Sequence, residues 1–500
     1  MSLSLATDDL GERAHLLAPV EDDIHKVHTP VPLQPDQRRL IFFVGMTILA
    51  ADFGHSLTLA PQISIYESLI CLKASAGIDC KSTAAQSELA LLLGWKETLD
   101  HLPGIILALP YGLAADRIGR KPILVMCLAG IVCEEIVIRL VCWFHLALPL
   151  RLIWVTPVFQ LVGGGVQTAL AMAYAMITDV APAEQRAAIF YIMAAVLLVG
   201  EILATPISAW LMALSPWVPS LIGVVFQFGG LLSAIMVFET RPLGKASDDP
   251  AILVHDGFEA KACDDQLRAP FKSMISRMRQ SFTKKRKELL ETHLKSMDLT
   301  MLLIFSAFLL ASISQQALLL IIPYASKRFL WSIPRASFLI TLKGVINAVA
   351  LLLVLPRLSI WLSRHLSWSS AIIDLRIVQI SAWMLTVGIA TMAFAAQPEL
   401  FISGLCLFAL GWGFYSALRS LATGWVSPSE VVVLNSMIGL TQGLGSLIAG
   451  PVMAAMFNHG LQQGGVAMGL PFVLAAGLLF VASLLTLEIR VGKRRHWEMT

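Results

Sequence analysis

A chain of 500 residues that is 56% hydrophobic and 14% charged, with mean hydropathy +0.73, is too apolar for a soluble protein of several domains and needs lipid as its solvent. A net charge of +3 gives no reason to invoke nucleic acid, so the basic residues must be read by location. Seven cysteines without a Cys-x-x-Cys spacing leave no zinc or iron–sulfur site, and no nucleotide-binding Gly-x-x-x-x-Gly-Lys-Ser/Thr run is present.

Residues 1–37 form a polar tail with Asp8, Asp9, Glu12, Glu21, Asp22 and Asp23, and no apolar stretch of signal-peptide type, so the first spanning helix is expected to act as the targeting signal. Spanning a bilayer takes about 20 apolar residues. Twelve runs qualify, near 40–62, 98–115, 122–144, 151–178, 187–213, 217–238, 299–324, 334–356, 376–396, 399–421, 430–457 and 469–489. They predict an all-α membrane protein of two six-helix bundles, within 38–238 and 299–489, joined by a cytosolic linker at 239–298 and ending in a basic tail at 490–500. Arg117, Arg120, Lys121, Arg186, Arg357, Arg364 and Arg376 fall on alternate short connections, which puts both termini in the cytosol. The connection with Lys327, Arg328 and Arg335 runs against that rule. In the linker, Phe271, Met274, Ile275, Met278 and Phe282 among seven bases read either as a basic amphipathic helix on the inner leaflet or as a plain spacer. Cys71 and Cys80 share one outer loop, where a disulfide persists if it forms; two free thiols are the alternative.

Gly112-Leu113-Ala114-Ala115-Asp116-Arg117-Ile118-Gly119-Arg120-Lys121 places four charges between two long apolar runs. Gly112 permits close helix approach, Gly119 a positive φ, and the bases hold the turn on the cytosolic side. The pattern resembles the signature between helices 2 and 3 of the major facilitator superfamily of secondary transporters. Two parallel six-helix halves are what that resemblance implies, and two of three landmark spacings agree: Pro110 to Gly165 and Pro356 to Gly411 both span 55 residues, and Gly165 to Pro206 and Gly411 to Pro451 span 41 and 40. Pro61 to Pro110 spans 49 against 33 for Pro323 to Pro356, which fits an enlarged first outer loop. The second half lacks the signature, with Leu362 opposite Asp116 and His365 opposite Gly119.

Ile65-Tyr66-Glu67, Cys71, Cys80, Glu88-Leu89-Ala90, Gly94-Trp95 and Asp100 resemble a fungal branch of the superfamily grouped with drug-like and secondary-metabolite transporters. By that resemblance Asp116 would meet the start of helix 11 near Glu430, and Arg117 or Arg120 would meet Asp179 or Glu184, locking the cytosolic side. The drug-exporter motif of helix 5 is poorly met, since its glycines fall on Glu201, Thr205, Ala209 and Trp210. The acidic run of sugar porters after helix 6 is reduced to Glu239-Thr240-Arg241.

Ionisable residues deep in a bilayer cost several kcal/mol unless paired or hydrated, so each is a functional candidate. Asp52 lies about 18 Å along helix 1 with His55 sharing its face, and Glu201 about 21 Å into helix 5. These three are the candidates for proton coupling or substrate charge, against a helix-capping Asp and a buried, hydrogen-bonded Glu. Glu135 and Arg139, four apart, read as a structural ion pair. Gln315, Gln316, Lys343, Asn347, Trp412, Tyr415 and Gln442 offer a second cavity wall. The expected function is alternating-access transport of a small organic solute, proton-coupled, with export favoured over uptake. The alternatives are a nutrient or organic-acid uptake permease and a non-transporting sensor or receptor of the same fold. The expected protein is no enzyme, uses no cofactor or metal, touches lipid and protons, and works as a monomer. Plasma membrane is expected first and vacuolar membrane second, the latter because Glu12-Arg13-Ala14-His15-Leu16-Leu17 matches an acidic dileucine signal.

Overall fold

The computed structural model describes residues 34–73, 80–181, 183–240, 299–366, 370–426 and 431–489, and within them every regular element is a helix. The first half holds α1 (Pro35–Lys73), α2 (Thr83–Ile118), α3 (Arg120–Trp143), α4 (Leu150–Val180), α5 (Ala183–Leu211) and α6 (Trp217–Met236). The second holds α7 (Leu299–Arg328), α8 (Ile333–Val349, continuing through a π turn at Ala350–Val354 into Leu355–Leu366), α9 (Ser370–Ala393), α10 (Pro398–Leu410 and Gly413–Thr423), α11 (Val431–Gln463) and α12 (Leu470–Glu488).

Among the described residues, ten helices are long and apolar enough to cross a membrane. The other two, α2 and α3, run for 36 and 24 residues and carry the charges Lys96, Glu97 and Asp100, and Glu134, Glu135 and Arg139. Their length suits a span; their charges lower the hydropathy.

The two largest departures from the sequence expectation fall on α1 and α2. The run expected at 40–62 extends over 39 residues, from Pro35 to Lys73, about 58 Å by rise, so α1 projects well beyond a bilayer. The run expected at 98–115 begins at Thr83, where the Ser82 hydroxyl accepts a bond from the Ala85 amide at 3.4 Å. The charged residues that looked like a loop lie inside the bundle, paired. The basic stretch of the linker, the dileucine pattern and the basic tail lie outside the described residues.

Glycine breaks α4. Gly163, Gly164 and Gly165 all take positive φ, and a Cβ on Gly163 would overlap the Cys127 backbone of α3. The short helix Leu150–Leu161 can therefore bend into Gly165–Val180 while α3 packs against the corner.

The two ends of the molecule differ. One apolar core comprises Leu40–Ile48 of α1, Ile123–Leu128 of α3, Ala169–Ile177 of α4 and neighbours from α5 and α6, all in the first half and all toward the Gly119 turn. The other runs from Ala60–Ile70 of α1 and Ala85–Leu92 of α2 into the whole second half. The halves thus share a core at the end where Cys71 and Cys80 are joined by a disulfide. There Lys81 reaches both Glu67 Oε1, at 2.5 Å, and Ser326 Oγ of α7, and the Lys327 ammonium donates to the Lys81 carbonyl. Ser87 donates to Asn458 Oδ1 at 2.6 Å and Thr98 to the Leu447 carbonyl at 3.1 Å, so α2 is laced to α11. Gly94 and Gly450 face each other at that crossing, and a Cβ on either would overlap the other's carbonyl oxygen.

Candidate functional site

Helix α5 is apolar along most of its length, so Glu201 inside it needs a partner. It has one from the other half: Lys343 Nζ of α8 lies 3.1 Å from Glu201 Oε1. The two side chains remain 18% and 30% exposed, which makes this pair hydrated and breakable, worth on the order of 1 kcal/mol and not a sealed strut. Lys343 also sits over the Trp412 ring at 5.9 Å, and Trp412 packs on Tyr415 at 5.4 Å between centroids. The Tyr415 hydroxyl donates to the Ala311 carbonyl of α7 at 3.0 Å, fixing the ring. Four candidates singled out separately therefore form one contiguous chain across the interface between the halves.

Asp52 stands beside it on α1. A Cβ on Gly200 of α5 would lie 3.1 Å from Asp52 Oδ2, so the absence of a side chain at 200 lets the carboxylate approach α5 next to Glu201. That oxygen is buried and has no hydrogen-bond donor among the described residues. His55 has a second carboxylate neighbour besides Asp52: its Nδ1 lies 4.0 Å from Glu135 Oε1 of α3. Three residues along a helix leave two side chains about 60° apart, enough on a helix wedged between neighbours to send one to α5 and the other to α3. Glu135 is bonded as well to Arg139, whose Nη1 also donates to the Glu135 carbonyl at 2.9 Å.

The remaining wall residues divide. Gln316 donates to Ser446 of α11 at 2.9 Å, and Gln442 accepts from Arg419 at 3.4 Å. Asn347, one turn beyond Lys343, is buried with its Oδ1 unbonded among the described residues. Gln315 is half-buried beside Gln316.

At the Gly119 turn φ is +99°, and the following amides of Arg120 and Lys121 donate to the Glu239 carboxylate at 3.0 and 3.1 Å. An anion at the first turn of α3 is what the helix dipole favours. Arg120 pairs with Asp179 at the end of α4 and donates to the Ala175 carbonyl, and Thr240 donates to Asp179 at 3.0 Å. This clasp joins α3, α4 and the end of α6 within the first half. Gly112 lies in α2, where an added Cβ would meet open space. The side chains of Asp116, Arg117 and Glu184, and Glu430 altogether, lie outside the described residues.

Sequence reasoning missed two features. Glu239 was a remnant of an absent motif; the signal for its role is an acid at the end of helix 6 facing a basic turn. Lys96 binds Asp100 at 2.5 Å and Glu134 at 2.7 Å, while Thr156 and Gln160 of α4 also donate to Glu134, at 3.1 and 2.5 Å. Lys96 and Asp100 are four apart, a spacing that signals a helical ion pair once α2 is extended back to Thr83.

Two six-helix bodies, sharing a core at one end and meeting midway through a hydrated ion pair in an otherwise apolar wall, define the fold of a secondary transporter and not of an enzyme. The chain belongs to the Major Facilitator Superfamily, whose family model matches residues 40–415. It is a multi-pass membrane protein. Among known proteins it is similar to "Efflux pump ustT" of Aspergillus flavus, 32% identical over 432 residues that cover 84% of this chain and 82% of the relative. It is also similar to "MFS efflux pump atnC" of Emericella nidulans, 28% identical over 461 residues covering 88% and 85%. Among solved structures its fold is similar to that of a D-xylose–proton symporter, with TM-score 0.60 at 12% identity and coverage of 91% and 97%. The human organic anion transporter MFSD10 gives a TM-score of 0.55 at 18% identity, covering 91% and 100%.

Proposed function

We propose that this chain exports a small organic solute by alternating access, driven by protons that titrate Asp52 and Glu201. All twelve helices cross the membrane, the Gly119 turn and both termini face the cytosol, and the plasma membrane is the site of action, with the vacuolar membrane second. The Glu201–Lys343 pair beside Asp52 carries this reading, because it is the one ion pair among the described residues that spans the halves and it stays in reach of water. A proton on Glu201 removes the carboxylate charge that holds Lys343, frees the ammonium, and unlinks α5 from α8. Proton binding thereby biases which face of the cavity opens. The joined core at the disulfide end and the separate first-half core at the Gly119 end correspond, in that orientation, to a state open toward the cytosol. Export as the direction leans on the two relatives named as efflux pumps.

The test is flux in proteoliposomes under an imposed pH gradient with a panel of organic solutes. Asp52→Asn and Glu201→Gln are expected to lose gradient-driven movement while solute exchange without a gradient persists. Gradient-driven accumulation retained by both variants would overturn the coupling assignment. Movement of solute out of the compartment that corresponds to the extracellular side would favour uptake instead.

A further inference from the structure

We infer that a cavity on α10 recognises the acidic group of an organic anion through Arg419, so that the solute is a flat, carboxylate-bearing molecule. The inference rests on the transporter reading for the word solute and on the cavity alone for the chemistry. A cavity of about 500 Å³ is lined by Tyr415, Ser416, Arg419, Ser420 and Thr423 of α10 with Asn435 of α11. That volume lies in the range of small-molecule sites. The five α10 positions recur at one- and four-residue steps, so they share one face of the helix. Phe414, Ala417, Leu418, Leu421 and Ala422 on the opposite face are buried in the second-half core. A polar stripe is thus held rigidly toward the opening.

Most donors on that stripe are already committed. Tyr415 bonds the Ala311 carbonyl, Ser416 the Gly413 carbonyl at 3.0 Å, Thr423 the Ser420 carbonyl at 2.7 Å, and Ser420 the Asp374 carboxylate at 2.7 Å. Arg419 is different. A guanidinium has five N–H donors, and its described bond is the long one to the Gln442 amide oxygen at 3.4 Å. No carboxylate of the described residues forms an ion pair with it, and the nearby Asp374 is engaged by Ser420. Arg419 lies one turn before α10 ends at Thr423 and is exposed to the opening, so the guanidinium stands at the mouth of the cavity, where a solute entering from that side meets it. An open fork of this kind matches a carboxylate in two parallel bonds. The Tyr415 ring, backed by Trp412, closes the deep end and offers a face to a planar body.

The test reads binding and not flux, so a failed transport assay counts against the proposed function and leaves this inference to its own measurement. The full chain is placed in phosphatidylcholine nanodiscs, which keeps anionic headgroups out of the site. Fluorescence anisotropy then compares anthracene-9-carboxylate with its neutral carboxamide. The parent is expected to hold the acid roughly tenfold tighter than the amide, Arg419→Gln to lose that preference with the amide unchanged, and Arg419→Lys to keep part of it. Phosphatidylserine added to the nanodiscs should not compete. A parent that binds both probes equally or neither, an Arg419→Gln protein that binds the acid as the parent does, or displacement by phosphatidylserine overturns the inference.

Discussion

Glu201 and Lys343 were each legible in the sequence, because a charge inside an apolar run is a local signal that needs no knowledge of the fold. Their pairing was not legible: 142 positions separate them, and only the packing of α5 on α8 sets the 3.1 Å between their charges. For Asp52 and His55 the spacing along one helix was legible, but not that α1 would also set His55 4.0 Å from Glu135 of α3. The pairing makes a residue-scale prediction. Removing one charge strands the other, whereas removing both restores neutrality. Glu201→Gln and Lys343→Gln should each lower the apparent melting temperature of the solubilised protein, and the double variant should recover most of the loss. A coupling on the order of 1 kcal/mol is expected from the cycle, and additive losses would show that the two groups act separately.

The twelve apolar runs correspond to helices, yet the start of α2 was misplaced by fifteen residues, from 98 to Thr83. Hydropathy penalises Lys96 and Asp100 as if each met lipid alone, while in the bundle the Lys96 ammonium lies against the Asp100 and Glu134 carboxylates. Where α2 meets α11, Gly94 and Gly450 allow a backbone approach that no side chain permits. Gly450→Ala should therefore push α11 off α2 at the disulfide end. With Ser87→Cys as a reporter at that seam, labelling by a membrane-impermeant maleimide should rise several-fold over the same reporter in the parent background. Unchanged labelling would mean that the contact is not what closes this end.

The repeat of two halves was readable at the scale of the molecule from Pro110, Gly165, Pro356 and Gly411 alone, since helix-breaking residues mark the same places in both copies. Which end is closed could not be read, because closure depends on contacts such as Lys81 with Ser326 that link positions 245 residues apart. Whether Cys71 and Cys80 pair was likewise open until α1 and the start of α2 put their Cα atoms 5.1 Å apart. The disulfide anchors the segment from which Lys81 bridges α1 to α7. Replacing both cysteines with serine should loosen that bridge and raise maleimide labelling at the Ser87→Cys reporter in intact cells; labelling equal to that of the bridged protein would remove the disulfide from the closure.

The Glu239 and Asp179 clasp on the Gly119 turn has no counterpart among the described residues of the second copy, where Leu362 and His365 stand in place of the motif. Irregular backbone is distributed the opposite way. In the second copy α7 tightens at Gln316–Leu320, α8 loosens at Ala350–Val354 and α10 is broken after Leu410, whereas in the first the described breaks within helices are confined to α4. The two copies are thus unequal machines: one is a braced chassis, the other a jointed door. The joint after Leu410 brings Trp412 against Tyr415, which lines the proposed solute cavity, so a swing of the door would reshape the pocket in the same movement that exposes it.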